Sequence, residues 1–316
     1  MYNEEIKRRF IDDFSKENQR SMHAMPYHMS ALSKAEEFQG KDIAAMSFYD
    51  AKVALEKACI SEVSTLMQVC SVGRAYVKWC KDHGLFPDSD YGFLNVYADD
   101  IDMTETLRRV LFKDEHDLLG SITLVHSLDD GYVDVPALVL AWLGVPKDLL
   151  LKLKDENVNL QNRVITDLNG EVLVSGFSDQ IHDALHRFVE CRTSVRENGR
   201  FEVEVVKDRS TTIFLKKMVS RGSAKFGVPH TPQQLNSQLN KLSIKYEAKG
   251  FPARHSYTNA FRSGRFYELW LLEQSGVDVL DPKNRAEVER VFRNKKNYYN
   301  AVKMYRFYKR AFWSDN

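Results

Sequence analysis

The stretch "GFPARHSYTNAFRSGR", residues 250–265, decides how this chain is read. Gly250 closes a helical pattern that opens with Pro232. Proline at a first helical position loses no hydrogen bond, and glycine takes the left-handed conformation that ends a helix. Beyond Gly250 come Arg254, His255, Arg262 and Arg265 in quick succession. They lie in the most basic part of the chain. Residues 1–100 hold 12 Lys and Arg against 16 Asp and Glu, residues 101–199 hold 10 against 17, and residues 200–316 hold 23 against 11. The formal net charge of +1 thus hides a basic last third. Such asymmetry suggests an anionic partner, nucleic acid foremost; a solvated basic surface on an average domain accounts for it equally well.

The rest of the composition is that of an ordinary globular protein: 316 residues, 43% apolar and 28% charged, enough for two domains. No run of about 18 apolar residues suggests a membrane span. The opening "MYNEEIKRRFIDDF" is charged and helical in period, so no signal peptide is expected there. Cys59, Cys70, Cys80 and Cys191 show no metal-binding spacing and read as buried thiols in a reducing cytoplasm. His182 and His186 stand four apart, a spacing that can hold a metal on one helix face, but only Asp183 and Glu190 are near, so no metal is expected. Nothing in the sequence implies a cofactor.

Along the chain, residues 1–90 read as helices only. "EEIKRRFIDDF" puts Ile6, Phe10, Ile11 and Phe14 on one face. "MSALSKAEEFQ" follows with Ser30 as its N-cap, then "SFYDAKVALEKAC" capped by Ser47. "SEVSTLMQVCSVGRAYVKWCKDHG" is capped by Ser61 and stopped by Gly84, with Pro87 beyond. Residues 91–102, rich in Asp and low in periodicity, read as a linker. Residues 103–316 are mixed. "TETLRRVLFK", "VPALVLAWLGV", "SDQIHDALHRFVECR" with Ser178 at its cap, "AEVERVFR" and "YYNAVKMYRFYKRAFW" read as helices. "RVITDLNGEVLVSGF" is a hairpin around Asn169-Gly170, for which a type I′ turn is expected. The fold class is therefore mainly α with a small antiparallel β-sheet: an all-α module, then a mostly α one.

In that order, four segments resemble the tyrosine recombinase, or phage integrase, family. "ISEVSTLMQVCSVGRAYVKWCKDHGL" is similar to its last core-binding helix, and "VLAWLGVPKDLLLKLKDENVNLQNRVIT" to its first catalytic box and following strand. "FPARHSYTNAFRSG" is similar to the second box and "NKKNYYNAVKMY" to the segment that delivers the nucleophile. The resemblance spans roughly residues 25–310. It implies a helical core-binding domain at 1–90 and a catalytic-like domain at 103–316 that clamp duplex DNA between them. It implies a chemistry in which a tyrosine attacks a phosphate while arginines, a further donor and a hairpin lysine hold the charge that develops.

Most of those places are altered. Pro146 stands where the first box has its arginine, and proline donates nothing from its backbone nitrogen. Sliding Lys147 into that place would displace the Gly144 turn, and a lysine lacks the two-pronged fork that arginine offers a phosphate. No lysine lies between Val164 and Val174. Phe251 replaces the histidine that opens the second box, while Arg254 remains. The later histidine falls at about Lys296, and Tyr305 takes the nucleophile's place, with Tyr298, Tyr299 and Tyr308 as rivals. Losing one such donor typically costs ~10²–10³ in rate, so strand cleavage is not expected.

A DNA clamp needs no catalytic geometry, because phosphate contacts come from Lys, Arg and helix N-termini. Candidates are Lys216, Lys217, Arg221, Lys225, Lys241, Lys245, Arg254, His255, Arg262 and Arg265. In the first module Arg74 and Lys78 share a helix face, and Ser64, Thr65 and Gln68 precede them, placed to read bases. Within the family, the second box and tail resemble members that repress lytic genes to maintain a prophage. That resemblance implies binding to operator-like repeats in a phage genome, self-association on DNA, an antirepressor protein and a cytoplasmic, nucleoid-associated location. Two other readings stay open: an active recombinase with divergent boxes, and an adaptor that binds a protein on the same scaffold.

Overall fold

The computed structural model describes residues 2–17, 25–58, 60, 62–126, 134–190, 193–195, 202–204, 215–216, 228–229, 231–252, 254–292 and 298–314. Its helices run in the order α1 (Glu4–Glu17), α2 (Met25–Gln39), α3 (Phe48–Lys57), α4 (Val63–Asp82), α5 (Thr104–Val110), α6 (Glu115–His126), α7 (Asp134–Trp142) and α8 (Lys147–Leu150), then α9 (Asp179–Glu190), α10 (Pro232–Glu247), α11 (Tyr257–Gln274), α12 (Arg285–Phe292) and α13 (Tyr298–Trp313). Strands β1 (Val158–Asn159), β2 (Val164–Thr166) and β3 (Val172–Ser175) form an antiparallel sheet in that order, with Val158 opposite Ile165 and Ile165 opposite Val174. Two short pairs follow, β4 (Thr193–Val195) with β5 (Glu202–Glu204) and β6 (Leu215–Lys216) with β7 (Val228–Pro229). The fold is mainly α with a small antiparallel sheet.

The chain divides into two compact units. Unit 1 takes residues 1–107 and 299–316, and unit 2 takes residues 108–298. In unit 1, α4 buries Leu66, Val69, Tyr76 and Val77 on one side, and each of the three aliphatic side chains contributes roughly 1.5–3 kcal/mol when fully buried. The helix stops where Gly84 turns left-handed (φ 65°) and the Leu85 amide donates back to the Cys80 carbonyl (3.0 Å). Ser47 caps α3 in a reciprocal pair with Asp50. Ser61 lies outside the described residues. α1 is tied down by a buried cation: Lys7 Nζ donates to Glu36 Oε1 (2.5 Å) and Asp42 Oδ2 (3.0 Å), and the Tyr76 hydroxyl donates to the same Asp42 oxygen (3.1 Å).

Two local expectations need correction. Ser30 is no N-cap; α2 begins at Met25 with Pro26 in its first turn, where a missing amide hydrogen costs nothing. The Asn169-Gly170 hairpin forms, but without a type I′ turn, which needs two left-handed residues. Gly170 has φ 84° and Asn169 is not left-handed. The Asp167 carboxylate accepts from the Asn169 and Glu171 amides (2.8 and 2.9 Å), and the Gly170 amide donates to the Asp167 carbonyl. That is the pattern of a type I turn closed by a glycine bulge. Residues 91–102 carry two 3-10 turns, Gly92–Asn95 and Ala98–Asp100, that bury Phe93, Val96 and Ile101 in unit 1.

In unit 2, α7 is buried on all sides from Ala137 to Trp142 and packs along α11. The approach is closest at Gly264, where an added Cβ would stand 1.9 Å from the Trp142 carbonyl oxygen. Only glycine fits there. α9 starts at the Ser178 hydroxyl, which accepts from the Ile181 amide (3.2 Å). α10 starts at Thr231, in a reciprocal cap with Gln234 and with Pro232 next.

Candidate nucleic-acid interface

The α7–α11 contact brings the two box-like segments of unit 2 together. After α7 the chain turns at Gly144 (φ 80°), with the Val145 amide donating to the Leu140 carbonyl (3.0 Å). Pro146 then sits as the N-terminal flank of α8, extended at φ −59° and ψ 144°. It has no donor to offer a ligand; the next residue is Lys147, whose Nζ donates to Asn236 Oδ1 (2.7 Å) and lies 5.6 Å from the Tyr257 ring centroid. The Tyr257 hydroxyl donates to the Val145 carbonyl (2.7 Å), which pins the start of α11 to this turn.

An open cleft of about 400 Å³ results, lined by Lys147, Asn236, Asn240, Ser243, His255 and Thr258 among others. It meets the N-terminal end of α11, where Ser256 caps Asn259 (3.0 Å). An 18-residue helix presents unpaired amides and partial positive charge at that end. The lining offers a phosphate oxygen one lysine, two amide side chains and the Ser243, Ser256 and Thr258 hydroxyls, and sets one carboxylate, Glu247, against it. Among the described residues that line it there is no arginine.

Arg254 and His255 face a different task. Arg254 Nη1 lies 2.5 Å from Asp117 Oδ2 on α6, with the guanidinium 5.8 Å from the Phe112 ring centroid. His255 is 1% exposed. Its Nε2 is 2.5 Å from the Ser121 hydroxyl, and its ring lies 4.2 Å from that of Tyr246. Burial, then the neighbouring Arg254 charge, pull its pKa down to about 4, so it is neutral near pH 7 and grips no phosphate by charge. Phe251 is exposed with its ring 5.9 Å from Tyr246.

Arg265, expected on the DNA side, is a structural side chain. It is buried, donating from Nη2 to the Trp142 carbonyl (3.0 Å) and from Nη1 to the Val291 carbonyl (3.2 Å), and it pairs with Glu268 (2.5 Å). Its guanidinium fills the space beside Gly144, where a Cβ would come within 2.5 Å. His255 is likewise a core histidine, packed against Tyr246 and Ser121 at the floor of the cleft with 1% of its surface exposed. Arg262 is half buried, and burial pushes its pKa down. Lys241 is exposed on α10. Lys217, Arg221, Lys225 and Lys296 lie outside the described residues, as do the side chains of Lys216 and Lys245.

Unit 1 carries a candidate surface of its own. Along α4, Ser64, Gln68, Ser71 and Lys78 are exposed and Thr65 and Arg74 half-buried, at the three- and four-residue spacing of one helical face. Ser and Gln side chains both donate and accept, which suits base edges. Arg74 is partly committed: Nη1 donates to the Val96 carbonyl (2.6 Å) and the guanidinium stacks 4.4 Å from the exposed Tyr97 ring. Tyr305 is fully buried in unit 1, as is Tyr308. Cys70 and Cys80 are buried free thiols, pushed up to about 11 by burial; Cys59 and Cys191 are outside the described residues. His182 and His186 have ring centroids 5.8 Å apart, and among the described residues no three ligating side chains gather for a metal. No described helix is long and apolar enough to cross a membrane.

No family model matches the chain, and no curated protein does. Among solved structures it is similar to the XerA recombinase at 13% identity, over 99% of this chain and 94% of that one, with a TM-score of 0.40. It is also similar to the Tn1549 transposon integrase in complex with transposon right end DNA (13% identity, 97% and 94% covered, TM-score 0.41). The same integrase in complex with circular intermediate DNA matches at 15% identity, 98% and 95% covered, with a TM-score of 0.40. The DNA in those complexes is a property of those proteins.

Proposed function

We propose that this chain is a sequence-specific DNA-binding repressor on a tyrosine-recombinase-like scaffold, one that holds DNA without cutting it. The observation that carries the reading is the burial of Tyr305. A nucleophile has to reach a phosphorus atom, and Tyr305 exposes none of its surface. Pro146 and Phe251 add to it, since neither can hold a non-bridging oxygen. Arg254, the one arginine of the box pattern that remains, is matched by Asp117 at 2.5 Å. For binding, the exposed Ser64–Gln68–Lys78 stripe of α4 supports base reading on unit 1, and the cleft at Lys147 supports a backbone contact on unit 2.

The sequence extends this reading to biology. "PARHSYTNAFRSGRFYELW" and the tail after it resemble the master repressor of the lytic cycle in SPbeta-type Bacillus prophages, MrpR. By that resemblance the ligand is a set of operator-like repeats in a phage genome. Occupancy of those repeats holds lysogeny, copies of the chain associate on DNA, and an antirepressor protein releases them. The protein then works in the bacterial cytoplasm, at the nucleoid.

A suicide DNA substrate tests the reading. No covalent complex is expected, and Tyr305→Phe is expected to keep its DNA affinity. A complex trapped through Tyr305 overturns the reading in favour of an active recombinase. Gel shifts against the intergenic repeats of the host phage test the operator half, with retardation at those repeats expected over shuffled duplexes of equal length.

A further inference from the structure

Helix α13 has an outer face that the DNA-binding reading above does not use. On α13 Tyr299, Asn300, Arg306 and Arg310 are exposed and Lys303 is partly exposed, while Tyr305 and Tyr308 on the opposite side are fully buried. Positions 299, 303, 306 and 310 follow the three- and four-residue spacing of a single helical stripe. They line a groove of about 290 Å³ together with Val302, Phe307 and Asp99. The lining carries three cations against one carboxylate. That carboxylate is Asp99, 3.2 Å from Lys303 and 72% exposed, so water screens the pair and it holds Lys303 weakly. Among the described residues no carboxylate is paired with Arg306.

We propose that this face of α13 is a second backbone-binding site on unit 1, for the sugar–phosphate strand of duplex DNA. The inference rests on the DNA-binding reading above and deepens it. Charge complementarity names the occupant. From Lys303 to Arg310 the stripe is about 10 Å long at ~1.5 Å per residue. One strand of B-DNA offers a phosphate about every 3.4 Å of its axis, so three cations in a row match roughly three phosphates. The Arg306 and Arg310 forks suit two oxygens of one phosphate. Tyr299 gives the groove a planar, exposed wall. Residues 97–99 connect the groove with α4. Arg74 of α4 stacks on Tyr97, and two residues further on Asp99 meets Lys303. The helix whose sequence matches a nucleophile carrier thus turns its tyrosines into the core and its cations outward.

The test is fluorescence anisotropy of the full chain on a duplex of fixed length at several salt concentrations. Arg306→Ala with Arg310→Ala is expected to weaken binding to every sequence, roughly tenfold at low salt. It should flatten the log–log salt slope by up to about 1.8, at about 0.9 for each phosphate no longer neutralised. Arg306→Lys with Arg310→Lys keeps both charges and should restore most of the slope. If the alanine pair leaves affinity and slope unchanged while Lys78→Ala lowers both, the site on α13 is refuted and DNA binding stands. If the wild-type chain shows no salt-dependent affinity at all, the DNA-binding reading falls and the α13 site with it. A change of oligomeric state in the alanine pair with an unchanged salt slope assigns the face to a second copy of the chain, and also overturns the proposal.

Discussion

Arg254 and Arg265 of unit 2 and Lys78 and Arg306 of unit 1 are all cations that a DNA-binding sequence would offer to phosphate. Within their own units they behave in opposite ways. Arg265 is spent on the Trp142 and Val291 carbonyls and on Glu268, and Arg254 on Asp117. Lys78 and Arg306 stand exposed on helix faces. In unit 2 the basic residues of the 250–265 segment serve its own scaffold. A cation is available to DNA only when nothing in its own chain neutralises it, so charge counts locate a partner less well than partner atoms do.

The sharpest way to break this contrast is Arg265→Ala. Two buried carbonyls would lose their donor, Glu268 its partner, and the space beside Gly144 would empty. Leaving buried polar groups unpaired in this way costs on the order of 3 kcal/mol. Urea unfolding is expected to show that loss. A variant as stable as wild type but weaker on DNA would move Arg265 to the DNA-facing side.

His255 gives the next effect, and its sign is fixed. Its folded pKa is lowered to about 4 from the ordinary 6.5, so between those values the unfolded chain binds the extra proton. Stability then rises with pH through that window and falls as the solution is acidified from about 6.5 towards 4. The full shift corresponds to roughly 3 kcal/mol at about 1.36 kcal/mol per pH unit. Chemical unfolding of wild type and His255→Gln at pH 7 and pH 4.5 measures it, since the variant lacks the titrating group. Equal pH dependence in both proteins would mean that His255 is not a neutral core residue.

On the unit 1 side, Gln68→Ala is expected to change which sequence is preferred. A side-chain amide that pairs with a base edge is worth about 1–3 kcal/mol of discrimination. Competition gel shifts with single-base variants of the best site read it out. Uniform weakening across all variants would make Gln68 a backbone contact and remove base reading from that stretch of α4.

Much of the fold was legible because it is local. Ser47, Ser178 and Pro232 mark helix starts within a few residues of the stripes they introduce, and the periods of α1, α4 and α13 are clear in the sequence. Ser30 misled because Pro26 allows an earlier start. Residues 91–102 lacked a stripe because 3-10 turns do not repeat at 3.6 residues, yet Phe93 and Val96 are core. The candidate site was less legible because its partners are distant in sequence. Asp117 lies 137 positions before Arg254, and Trp142 lies 123 before Arg265. No local pattern shows which arginine finds a carbonyl or a carboxylate. The one hint was glycine: Gly144 and Gly264 leave room for a guanidinium and for a backbone carbonyl.

The smallest effect tests the contrast most directly. Lys78→Ala and Arg254→Ala each remove one positive charge. If Lys78 meets a phosphate, its loss should weaken binding to all sequences alike and reduce the log–log salt slope by about 0.9. Arg254 differs, because a phosphate has to displace Asp117 before it can pair with the guanidinium. Its removal should therefore reduce the slope by clearly less, and should leave Asp117 without its partner. Anisotropy titrations of both variants on one duplex, at matched salt concentrations, compare them. Equal losses would mean that Asp117 gives way to DNA readily. Arg254 would then be as available as the exposed lysine, and the inward and outward cations would be one class.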